Sequence, residues 1–71
     1  MHINDAHEAL ATMKQQLKDM GYETADVWLR IGPGFNYLNV WTDHNEMFSG
    51  DVRTIIREAA DYISGLMPVA A

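Results

Sequence analysis

Apolar residues recur at Ala6, Leu10, Met13, Leu17 and Met20, and this alternation of four-residue and three-residue steps draws one stripe along a helix. Glu8, Lys14, Gln15, Lys18 and Asp19 fall on the other side. The spacing predicts a first helix over about residues 6–20. Asp5 is the expected N-cap with Glu8 as capping-box partner, and Asn4 is the alternative cap. Gly21 is placed to end the helix, because glycine takes positive φ without penalty, and Tyr22 then folds back on Leu17. A second stripe, Val52, Ile55, Ile56, Ala59, Ile63 and Leu66, predicts a helix over about 51–66, with Ser49 and Asp51 competing as N-cap and Pro68 as terminator. Residues 68–71 are expected to fray.

Between the helices the period changes to two. The segments around Val27–Ile31 and Phe35–Trp41 are rich in β-branched and aromatic residues and flank Gly32-Pro33-Gly34. They predict antiparallel strands over about 25–31 and 35–42. With Pro33 and Gly34 as the loop, Val27 pairs with Val40, Trp28 with Asn39, Leu29 with Leu38 and Arg30 with Tyr37. The segment 42–51, rich in Asp, His, Asn and Gly, is expected to be a loop. The fold class is therefore α+β: one small αββα domain over residues 1–71, in which a two-stranded hairpin packs with two amphipathic helices.

Alternation gives the hairpin two apolar faces. One carries Val27, Leu29, Ile31, Leu38 and Val40. The other carries Trp28, Arg30, Phe35, Tyr37 and Trp41, with Asp26 and Asn39. Either each helix covers one face, or both cover the aliphatic face and leave the aromatic one open. In the second case aromatics with an arginine have the composition of a protein-binding hot spot, so Trp28, Arg30, Phe35, Tyr37 and Trp41 are the candidate partner-binding residues. Arg30 opposite Tyr37 is a candidate cation–π pair. The free edges of the hairpin offer a further route to pairing.

Composition narrows the function. The chain has 71 residues, and the size-scaling rule hides about 60 % of its unfolded surface. Apolar burial of roughly 110 kcal/mol then meets an ordering cost of roughly 110 kcal/mol, so stability is marginal and a dimer or partner matters. With no cysteine, disulfide scaffolds, cysteine-ligated zinc and thiol catalysis are excluded. The net charge of −5 opposes nucleic acid and anionic lipid as partners. No apolar run approaches the ~18 residues of a membrane span, and the N-terminus lacks the basic flank of a signal peptide, so a cytoplasmic setting is expected.

Candidate chemistry is sparse. His2, His7 and His44 share no ligand spacing, and the loop Asp43-His44-Asn45-Glu46 lacks the pattern of an EF-hand. Asp43, His44 and Glu46 are the best candidates for a weak cation site. No metal, cofactor, small-molecule substrate or catalytic set is expected, and Gly32-Pro33-Gly34 reads as a turn and not a phosphate cradle. The expected function is a non-enzymatic protein-binding module. The αββα order is similar in topology alone to that of phage head–tail joining proteins, with no shared motif. Small, acidic, cysteine-free chains of this type occur among phage and mobile-element accessory proteins, including inhibitors of larger host complexes and CRISPR machinery. The alternative is a self-assembling homodimer that uses the aromatic face, and the third reading is a weak ligand or metal binder.

Overall fold

The computed structural model describes residues 3–69. The expectations for His2 and for residues 70–71 lie outside them. The elements run α1 (Ile3–Asp19), β1 (Asp26–Gly32), β2 (Phe35–Trp41), β3 (Asn45–Ser49) and α2 (Val52–Ser64). The class is α+β, but the sheet is an antiparallel meander of three strands in the order β1-β2-β3, not a two-stranded hairpin. The segment expected to be a loop supplies β3. Its polar residues hid a period of two, in which Glu46 and Phe48 fall on one side and Asn45, Met47 and Ser49 on the other.

The β1–β2 register is the one the turn dictates: Val27 pairs with Val40, Leu29 with Leu38, Arg30 with Tyr37 and Gly32 with Phe35. Gly34 adopts φ +76°, the conformation a type II turn demands at its third residue. β3 then pairs Asn39 with Met47, Leu38 with Phe48 and Tyr37 with Ser49.

Both helices lie on the aliphatic side of the sheet. Ala6, Leu10, Met13 and Leu17 of α1 and Ile55, Ile56, Ala59 and Ile63 of α2 close one core with Ala25, Val27, Leu38 and Val40. Leu29 and Phe48 pack at its margin. The result is two layers with the other face of the sheet uncovered.

The helix ends follow from local hydrogen bonds. α1 begins at Ile3, so Asn4 and Asp5 lie in its first turn and do not cap it. At its C-terminus Gly21 (φ +98°) donates to Lys18 O at 3.0 Å and Tyr22 N to Leu17 O at 3.0 Å, a Schellman closure. Asp51 caps α2, its side chain accepting from Thr54 N. α2 stops at Ser64, short of Leu66. Residues 67–69 are tied down and not frayed: Tyr22 OH donates to Met67 O at 2.6 Å, and Val69 N to Met20 O at 2.8 Å.

Candidate functional site: an open aromatic sheet face

Alternation along three strands puts eleven residues on the uncovered side, and the register arranges nine of them in three rows, with Gly32 opposite Phe35 beyond them. Asp26, Trp41 and Asn45 form one row, Trp28, Asn39 and Met47 the middle row, and Arg30, Tyr37 and Ser49 the third. Phe35 closes the hairpin end, its ring stacked on Tyr37 with centroids 5.9 Å apart and planes 21° from parallel. All five residues expected at a partner site, Trp28, Arg30, Phe35, Tyr37 and Trp41, therefore share one surface. Trp28 is 36 %, Trp41 41 %, Phe35 51 % and Met47 58 % exposed. Tyr37 is half-buried and Arg30 exposed. The cation–π pairing of Arg30 with Tyr37 is replaced by the stacking of Tyr37 on Phe35.

The β3 members of this face, Asn45, Met47 and Ser49, were missed from the sequence. Met47 came with β3; the alternation in Asn45–Ser49 was the available signal. Asn39 was placed on the face but not seen as its centre. It is only 6 % exposed and stands between Trp28 and Met47 in the register. Its Nδ2 donates to Asn45 Oδ1 at 3.1 Å, while its Oδ1 is buried with no hydrogen-bond partner. A buried amide carbonyl left unpaired is costly, so an atom in this position calls for an explanation.

The charges of the face are few. Arg30 has no ion-pair partner among the described residues. Asp26 lies 3.3 Å from Lys14 Nζ and also accepts from Val27 N at 2.8 Å, which covers a backbone donor at the β1 edge. That contact and its charge blunt the edge for strand addition.

Asp43, His44 and Glu46 lie together at the β2–β3 connection, in contacts of their own. Among the described residues no three His, Cys, Asp or Glu side chains are grouped to hold a metal. Both ring nitrogens of His44 are already engaged. Nδ1 is 2.9 Å from Asp43 Oδ1, Nε2 is 3.3 Å from the Tyr62 hydroxyl, and Glu46 Oε2 is 3.8 Å away. A neutral imidazole donating to Asp43 and accepting from Tyr62 satisfies both contacts. The hydrogen bond from His44 holds the Asp43 carboxyl below its ordinary range. Burial, then the charges of Glu46 and Asp43, push the Tyr62 hydroxyl up, away from a nucleophilic tyrosinate. The group is a staple between the β2–β3 turn and α2.

A groove of about 410 Å³ opens at the hairpin end between Phe35, Asn36 and Gly50. Its carboxylate, Asp51, is committed to the α2 cap. No helix is long and apolar enough to cross a membrane among the described residues. Comparison with protein-family models, curated proteins and solved structures returns no match.

Proposed function

We propose that this chain is a small, non-enzymatic protein-binding module that docks through the open face of its sheet, with Trp28, Tyr37, Trp41 and Met47 as apolar anchors and Arg30 as the polar one. The observation that carries this reading is the placement of both helices on the aliphatic face. It leaves both tryptophans, Phe35 and Met47 partly exposed on one continuous surface. Apolar patches rimmed by polar residues mark sites of protein interaction, and Trp, Tyr, Met and Arg are the residues enriched where proteins meet. The chain's net charge of −5 counts against nucleic acid on the same surface, where stacking aromatics would need a positive groove.

The test is photo-crosslinking in cells. A benzoylphenylalanine is placed at Trp41 on the open face or, as control, at Arg57 on the exposed side of α2. Discrete protein adducts from position 41 and none from position 57 are expected. An equal, diffuse yield from both positions, or none from either, would overturn the reading.

A further inference from the structure

We infer that the occupant of the open face is a second copy of this chain, packed sheet against sheet about a two-fold axis that runs across the strands along the Trp28–Asn39–Met47 row. The inference rests on the protein-binding reading of this face and specifies its partner.

The register supplies the argument. A two-fold axis across the strands, lying between two such sheets, sets each strand over its own copy in the opposite direction and exchanges the outer rows. The row Asp26–Trp41–Asn45 then faces Arg30–Tyr37–Ser49 of the second copy. Asp26 meets Arg30, Trp41 meets Tyr37 and Asn45 meets Ser49, each pairing occurring twice, as an isologous interface requires. The alternative axis, along β2, would set Arg30 over Ser49 and leave it without a carboxylate.

Two observations favour this arrangement. The first is charge. The chain carries ten acidic and five basic residues, yet Asp26 and Arg30 are the charged residues of this face, one of each sign. The face is neutral while the remaining surface repels its own kind. The second is Arg30, exposed and unpaired among the described residues. Asp26, four residues along the same strand and still 57 % exposed beside Lys14, answers it from the second copy.

Three strands of five to seven residues make a face about 14 Å wide and 17–24 Å long, well below the roughly 800 Å² per partner of a standard stable interface. The dimer should therefore dissociate on dilution.

The experiment is light scattering over a dilution series on the wild type, Asp26→Arg, Arg30→Asp and the double exchange. Both positions are exposed, and far-ultraviolet circular dichroism confirms that each variant folds. The wild type is expected to move from one chain mass to two as concentration rises. Each single reversal sets like charges opposite each other and should weaken the dimer by about tenfold or more. The double exchange restores opposite charges and should recover most of the loss. A wild type that keeps one chain mass at millimolar concentration, or a double exchange no better than the singles, overturns the proposal. If the wild type is monomeric and position 41 crosslinks a protein of different mass, the second-copy assignment fails while the docking face stands. If position 41 crosslinks nothing, both fail.

Discussion

The ring of Phe35 lies directly over Gly32, its partner across the hairpin. A Cβ built on Gly32 would stand 2.2 Å from Phe35 Cζ. The glycine is thus a seat for the ring at the hairpin end, and the ring in turn covers a strand position that has no side chain of its own. Phe35 is held there by stacking on Tyr37, so the turn and the open face are one packed unit.

Gly32→Ala should displace that ring and destabilise the fold by about 1 kcal/mol. After Phe35→Ala the obstacle is gone, and the same glycine change should be neutral or slightly stabilising, because alanine loses less backbone entropy. Chemical denaturation of the two singles and the double gives the coupling directly. Additive effects would mean that the ring does not rest on Gly32.

Leu38 sits at the middle of β2, fully buried in the core between the sheet and the helices. Leu38→Ala should cost about 2–5 kcal/mol. A chain of this size has about 4–10 kcal/mol in total, so the variant should be largely unfolded at moderate temperature. A melting curve close to that of the wild type would place the core elsewhere.

Much of this architecture was legible in the chain. Both helix stripes, the Pro33–Gly34 turn and the hairpin register follow from periods of 3.6 and two and from a turn that admits one pairing. Leu29 opposite Leu38 needed nothing more. β3 was obscured because Asp43, His44, Asn45 and Gly50 carry loop chemistry, while the strand between them has only two large apolar side chains, Met47 and Phe48, pointing to opposite faces. The side on which the helices pack was not legible, because both faces of the hairpin are apolar. What decides it is long-range: Phe48 from β3 extends the aliphatic face toward α2, where it meets Tyr62 with centroids 5.7 Å apart. The position of Asn39 was hidden because its hydrogen-bond partner, Asn45, lies on the strand that had not been recognised.

The His44 staple gives a pH signature at both ends of the range. The Tyr62 hydroxyl is raised above its ordinary 10.0 by burial and by the nearby carboxylates. Its contribution to stability is therefore complete below about pH 10 and is lost as pH rises through the higher folded value. Wild type should lose melting temperature above pH 10 more steeply than Tyr62→Phe, which cannot ionise there. The Asp43 carboxyl is held below its ordinary 3.8, chiefly by His44, so its contribution is present above that value and fades as pH falls through the lower folded one. His44→Phe should flatten this acid limb. Parallel profiles for wild type and variants would show that the contacts carry no linkage.

The uncovered sheet as a protein interface is tested most directly by thermal unfolding of wild type and Trp41→Ser over a roughly hundredfold concentration range. Trp41 is 41 % exposed on the open face, so its loss should leave the chain folded. The melting temperature of the wild type should climb with concentration, and that of Trp41→Ser should stay flat at the monomer value. If Trp41→Ser instead unfolds at every concentration while the wild type melts at one temperature throughout, the aromatic face is part of a monomer's core and not a surface for binding.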